Sequence, residues 1–362
     1  MKIAPLVLAG GKPGAFEKIT GHLPKTYIYV YGKRLFQYAA DTLAEYFKKI
    51  YVVAPVPEEG NYIYIEERGE GIEKALAAAD SYIESESHVL LTYGDVYVEA
   101  AAYRDVVEAV ISMGADGAVL AVPRKFTLGY GVVRTGPGQT FAGFGGEGQW
   151  IFGGVALLPR EVIKLVAKLS IYEALNELAR VKKIVVVPWG GVWHDVNHPE
   201  DLLQLLEHLA PVYSKIARGA KISPTAALEG PVVVEEGAEV DHYAVLKGPV
   251  YIGREVFIGS HAFVRNYTDV EAETVVGSSV EISHSLISRN AHIGRGSYIS
   301  YSVVGEGAVL EPHVVTKSVL RIRRDRLEPV EVRGKVFYKL GALIPKGARV
   351  TAGSVLEPGY GF

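Results

Sequence analysis

The sequence predicts two folds in succession: an α/β domain on a mostly parallel sheet over residues 1–210, then a solenoid of short strands over residues 211–362. Three observations predict this. Short β-rich runs alternate with longer helical patterns through the first 210 residues. After Pro211, aliphatic residues recur every sixth position. At 362 residues the chain is also long enough for two separate cores.

The expected strands of the first half are "IAPLVLA", "KIYVVAP", "NYIYIEE", "HVLLTYG", "GAVLAVP", "GGVALLP" and "KIVVVPW". Between them, "KRLFQYAADTLAEYFKK" and "IEKALAAADSYIES" carry apolar residues at helical spacing. Such alternation puts helices on both faces of a sheet and ligands at the C-terminal ends of its strands. The first such end is the stretch "LAGGKPGAFEKITGHLPK", Leu8 to Lys25, whose glycine turn exposes N–H groups suited to phosphates. "PEDLLQLLEHLA" closes this half as a helix, with Pro199 suited to the first turn.

In the second half, eleven aliphatics from Ile222 to Ile282 fall six residues apart without a break. The register slips by one before Ile287 and again before Val304, then returns at Ile344, Val350 and Leu356. A period of six suits a triangular coil in which each face gives one aliphatic to a shared interior. Each coil buries that residue only against its neighbours, so the repeat is cooperative along its axis.

Composition excludes several classes. A net charge of −3 gives no electrostatic reason to bind nucleic acid or anionic membranes. No run of eighteen apolar residues suggests a membrane span, and the N-terminus is too glycine-broken for a signal peptide, so a cytoplasmic location is expected. The absence of cysteine rules out disulfides, zinc–thiolate sites and cysteine nucleophiles; with only two methionines it leans toward a heat-adapted source.

Several ordered markers carry a family resemblance: "LAGG" at Leu8–Gly11, "PK" at Pro24–Lys25, "YGK" at Tyr31–Lys33, "YGD" at Tyr93–Asp95, "YGVV" at Tyr130–Val133, "WHDVNHPEDLL" at Trp193–Leu203 and "KLGALIPKGARVTAGSVLEPG" at Lys339–Gly359. In this order they resemble the sugar-1-phosphate nucleotidyltransferases that carry a C-terminal left-handed β-helix. The resemblance implies a Rossmann-like nucleotidyltransferase domain followed by a left-handed parallel β-helix of hexapeptide repeats. It also implies a reaction between a nucleoside triphosphate and a sugar 1-phosphate, with Mg²⁺, that forms a nucleotide sugar and pyrophosphate.

Residue by residue, it implies a nucleotide site at Leu8, Ala9, Gly10, Gly11, Lys12, Gly71 and Gly94, with Lys25 on the triphosphate. Asp95 and Asp195 would hold the metal, and Gly131, Gly153 and Gly154 would face the sugar. Elementary chemistry supports the metal pair, because Mg²⁺ takes two strand-end carboxylates and completes its octahedron with phosphate oxygens and water. Either aspartate could instead cap a turn.

The departures are as informative. The family's first loop continues Gly-Thr-Arg, and the arginine meets the transferring phosphate; here the loop reads Pro13-Gly14-Ala15. Lys12, Lys18 and Lys33 are candidates to stand in. The family's Glu-Lys-Pro is replaced by "GFGGEG", Gly143 to Gly148, and its Asn-Ala-Gly by Phe152-Gly153-Gly154. Ile72 and Glu73 replace the Thr and Ala of its Gly-Thr-Ala helix start.

Some relatives also acetylate an amino sugar in the solenoid. Here Glu311-Pro312-His313 replaces the glycine-rich run that would hold the acyl carrier, which argues against acetyl transfer. His242, His261, His284, His292 and His313 read as turn or interface residues, and "RIRRDR", Arg321 to Arg326, as an exposed charged loop. Two readings stay open on these residues: an active transferase with a variant phosphate loop, or a catalytically silent nucleotide- or nucleotide-sugar-binding relative. Flat solenoid faces also suggest a homo-oligomer, a trimer before a dimer.

Overall fold

A computed structural model describes every residue except Glu59, Arg68, Glu70, Phe126, Leu128, Arg321, Arg324 and Asp325, and except the side chains of Ile322, Arg323 and Arg326. The reading of "RIRRDR" as an exposed loop therefore lies outside the described residues. The chain forms two compact units, residues 1–12 with 35–195 and residues 13–34 with 196–362. Residues 13–34 and 196–210, grouped by sequence with the first half, cluster with the solenoid.

The first unit is built on a seven-stranded sheet. Its strands are β1 (Ile3–Leu8), β2 (Tyr51–Ala54), β3 (Ile63–Glu66), β4 (His88–Tyr93), β6 (Gly117–Pro123), β7 (Trp150–Pro159) and β8 (Ile184–Pro188), in the order β8-β6-β7-β4-β1-β2-β3. Six run parallel; β7 runs antiparallel to both β4 and β6. Central strands such as β1 are buried along nearly their whole length, which is why they read as continuous aliphatic runs. A separate pair, β5 (Val96–Val98) and β9 (Trp193–Asp195), is antiparallel.

Helices follow their apolar stripes. α1 (Leu35–Ala44) buries Leu35, Phe36, Ala39, Ala40 and Leu43, spaced to lie on one face. α2 (Ile72–Ala79) and α3 (Ala100–Ser112) behave likewise. α4 (Ile171–Val181) starts at a capping box, where Ser170 Oγ accepts from the Glu173 N–H and Glu173 accepts from the Ser170 N–H.

In the second unit the period of six becomes a left-handed parallel β-helix with three seven-stranded faces. On one face Val234, Ile252, Val270, Ile287, Val304 and Ile344 stack in register; on another, Val240, Ile258, Val276, Ile293 and Leu310. These side chains are at most 2% exposed, so each contributes its full apolar surface to the interior. Thr316 takes an interior position where the period calls for an aliphatic. Its hydroxyl accepts from the Ser300 N–H at 2.9 Å and from Ser302 Oγ at 3.0 Å, so the buried polar atom is satisfied.

The repeat breaks after Thr316 because the chain leaves the coil and returns at Leu343. The excursion carries a hairpin, Val330–Val332 with Lys335–Phe337. Arg333 at its turn donates twice to the fully buried Glu200, at 3.0 and 2.9 Å, while Lys335 pairs with Asp201 at the start of α5 (Asp201–Leu209). Residues 13–34 are fixed to the coils in the same unit. Two buried acids take their backbone: Asp269 accepts from the Tyr31 N–H at 2.6 Å, and Glu271 from the Gly32 N–H at 2.7 Å.

Candidate active site

The C-terminal edge of the large sheet gathers the candidate residues of the first unit. β1 ends at Leu8, and Ala9 is held by its N–H bond to Val53 O at 2.8 Å. The turn at Gly10 and Gly11 follows, with Gly11 at φ +102°. Gly94 begins the turn after the neighbouring β4, and its N–H donates to Leu8 O at 2.8 Å. A Cβ on Gly94 would meet that oxygen at 2.8 Å and Phe36 at 2.9 Å, so "YGD" needs its glycine for close packing of the two turns.

An acid occupies the glycine turn. The Gly11 N–H donates to the two carboxylate oxygens of Glu67, at 3.1 and 3.2 Å, and a Cβ on Gly10 would collide with that carboxylate. Glu67 directly follows β3. Sequence reasoning missed it; its place at the C-terminal end of a parallel strand was the signal that could have found it.

Asp95 and Asp195 come together through the small sheet. β9 pairs with β5 so that Asp195 stands opposite Val96, the residue after Asp95. Both carboxylates bear on Tyr93, whose hydroxyl is buried without a hydrogen-bond partner. Its pKa is pushed well above the usual value, first by burial, then by Tyr172, Asp95, Glu73 and Asp195. Tyr172 and Tyr130 are raised too, by burial first and Asp195 second.

A cation was also missed by sequence. Arg124, just past the end of β6, donates to the Tyr130 hydroxyl at 3.2 Å, and its guanidinium lies 5.1 Å from the ring centroid of Trp193. Asp195 engages that same Tyr130 hydroxyl, so arginine, tyrosine and aspartate form a short polar chain. Trp193 in turn donates from Nε1 to Gly153 O at 2.9 Å.

The remaining candidates fall as follows. Gly153 and Gly154 form a bulge in β7, with Gly154 at φ +76° and Gly153 packed on Leu120. Gly131 lies against the Tyr172 ring. Gly71 precedes α2 at φ +100°, and Lys12 is exposed beyond the turn. Lys25 belongs to the second unit, where its ammonium donates to Asn197 Oδ1 at 3.0 Å.

Two aspartates on neighbouring backbone segments fit a hard divalent cation. Among the described residues no cluster of three or more ligand-type side chains forms, so phosphate oxygens and water would supply the other positions. The Tyr93 hydroxyl, buried with no hydrogen-bond partner, lies beside both acids.

A glycine turn and a carboxylate pair on one sheet edge, followed by a hexapeptide β-helix, define a nucleotidyltransferase with a solenoid tail. Residues 5–210, more than half of the chain, match the MobA-like NTP transferase domain, and the chain belongs to that family. Residues 228–322 match the GMPPB C-terminal domain. The chain is similar over 94% of its length to the bifunctional protein GlmU of Methanococcus maripaludis strain C7, at 31% identity and 86% coverage of that protein. The corresponding protein of strain C5 shares 27% identity over the same fractions, and that of Methanocaldococcus jannaschii 25% over 92% of this chain and 86% of its own. The resemblance to sugar-1-phosphate nucleotidyltransferases with a left-handed β-helix therefore holds along the chain. No helix among the described residues is long and apolar enough to cross a membrane.

Proposed function

We propose that the protein is a Mg²⁺-dependent transferase that forms a nucleotide sugar from a nucleoside triphosphate and a sugar 1-phosphate. The observation that carries this reading is the β5–β9 register, which sets Asp195 beside Asp95 at the sheet edge. These two residues would hold Mg²⁺, which when bound offsets phosphate charge. The sugar phosphate oxygen attacks the α-phosphorus in line, the bond to the bridging oxygen breaks, and pyrophosphate leaves. No covalent enzyme intermediate is needed, since positioning two anions supplies most of the catalysis.

The Gly10–Gly11 turn receives phosphate or base once Glu67 yields its hydrogen bond from Gly11. Lys25 is the lysine that the resemblance assigns to the triphosphate. Arg124 supplies a cation in place of the missing Glu-Lys-Pro lysine, presented through Tyr130 and Trp193. Gly131, Gly153 and Gly154 shape the sugar side.

A second reading, a silent nucleotide- or nucleotide-sugar-binding relative, is favoured by one observation: the Glu67 carboxylate already takes the Gly11 N–H that a transferring phosphate would need. Pyrophosphate release with Mg²⁺, measured for each nucleoside triphosphate against a panel of sugar 1-phosphates, separates the two. Turnover lost in Asp95→Asn supports the transferase; nucleotide binding without turnover selects the silent relative.

Acetyl transfer is not part of this proposal, although the relatives are named bifunctional. Glu311 is taken up by Arg349 at 2.7 Å and the Ala352 N–H at 2.9 Å, leaving a locked corner where an acyl carrier would need open glycine. We also propose a homo-oligomer, a trimer, through the solenoid. The exposed Tyr243, stacked on His261 at 5.1 Å, is a candidate contact, and light scattering showing only monomer at micromolar concentration would defeat this.

A further inference from the structure

The stacked coils of the second unit place Arg289, Glu306 and Lys346 along one corner. Each follows by two positions the inward aliphatic of its coil, Ile287, Val304 and Ile344, and those three stack in register. Residues 13–34 run over this corner, with the Lys346 N–H donating to Lys18 O at 2.7 Å. Together they enclose a cavity of about 190 Å³. Ile19 and Leu23 give it an apolar wall, while Arg34, Arg289 and Lys346 give it three cations.

Among the described residues of the lining Glu306 is the one carboxylate, and it is paired with Lys346 at 2.7 Å. The two guanidiniums flank one ring: Arg34 lies 3.9 Å and Arg289 4.9 Å from the Tyr29 centroid. Arg289 reaches Glu273 with Nη2 at 3.3 Å, but its Nε is buried with no hydrogen-bond partner. Buried donors are ordinarily satisfied, and an orphan N–H on a cation is what a phosphate oxygen would take. The volume is below that of pockets for drug-sized ligands, so it suits pyrophosphate or a small phosphate ester rather than a whole nucleotide.

We propose that this corner is a binding site for a small phosphate-bearing molecule, formed wholly within the second unit and separate from the sheet-edge carboxylates. Its occupant would fasten residues 13–34 to the solenoid. The proposal does not rest on the transferase reading.

The test is titration calorimetry of the full chain in excess chelator, with pyrophosphate, inorganic phosphate and glucose 1-phosphate as separate probes; their ranking tells a free phosphate from an ester. One site per chain is expected, weakened about tenfold by Arg289→Met and by the exposed Lys346→Met. Glu306→Gln frees Lys346 and should tighten binding about threefold. Asp95→Asn should leave it unchanged. Absence of heat with all three probes overturns the proposal, as does binding that Asp95→Asn removes while Arg289→Met and Lys346→Met leave it intact.

Discussion

The solenoid interior and the sheet-edge site are opposite ways of building with the same chain. In the solenoid, each aliphatic does the same task as the one eighteen residues on, and Val240, Ile258 and Val276 stack as equivalents. At the sheet edge no residue repeats another: Gly11, Glu67, Asp95, Arg124 and Asp195 arrive from five separate strand ends. The difference teaches where a single substitution should register. A change in the repeat spreads into stability, because every coil leans on its neighbours. A change at the edge should leave the fold standing and remove one chemical part.

The largest expected effect tests the edge. Asp95→Asn and Asp195→Asn should each lower kcat/KM for nucleotidyl transfer about 10³-fold, or roughly 4 kcal/mol, with melting nearly unchanged. A variant that keeps turnover would remove that aspartate from the reaction. Next comes its mirror image in the solenoid. Ile258 is fully buried between Val240 and Val276, so Ile258→Ala should cost about 3 kcal/mol of stability. Turnover of the folded fraction should stay intact, and denaturant titration beside a rate measurement reads both. Loss of rate without loss of stability would mean the two regions are not as independent as their construction suggests.

A smaller effect sharpens what the glycine turn is for. Glu67→Gln removes a negative charge from the Gly11 N–H without changing the shape of the side chain. If triphosphate reaches that turn, nucleotide should bind about tenfold tighter, or ~1.4 kcal/mol, in equilibrium titration. Weaker binding would instead assign the carboxylate to accepting N–H groups of the base.

The two regions also differed in how much could be read before the structure. The period of six translates directly into space, since each sixth residue must face the axis; the break after Leu310 was visible as lost period, though not as Thr316 held by Ser300 and Ser302. The seven strands of the large sheet were legible as apolar runs. β5 and β9 were not, because three residues each are too few to show a pattern, and so their register remained hidden. Glu67 and Arg124 stand in loops where an acid or a cation has many ordinary explanations. The attachment of residues 13–34 to Asp269 and Glu271 spans more than two hundred positions and leaves no local trace in sequence.

That attachment carries the smallest and most specific prediction. Burial raises the Asp269 carboxyl well above the usual range, with the Glu271 charge adding to it. Burial pushes Glu271 up to about 7, while its bond from the Gly32 N–H pulls the other way. Tyr31, Tyr251 and Arg289 face the pair from the surrounding elements. A carboxyl raised on folding binds a proton that the unfolded chain has released. Its contribution is therefore complete below the ordinary carboxylate range and is lost as pH rises through about 7. Melting of the chain should fall by about 2–4 °C between pH 5 and 8, and Glu271→Gln should flatten that slope. A melting temperature that stays flat between pH 5 and 8, in the parent chain as in Glu271→Gln, would mean the pair is ionised in the folded state. The hold on Tyr31 and Gly32 would then be that of charged acceptors, stronger per bond and indifferent to pH across this range.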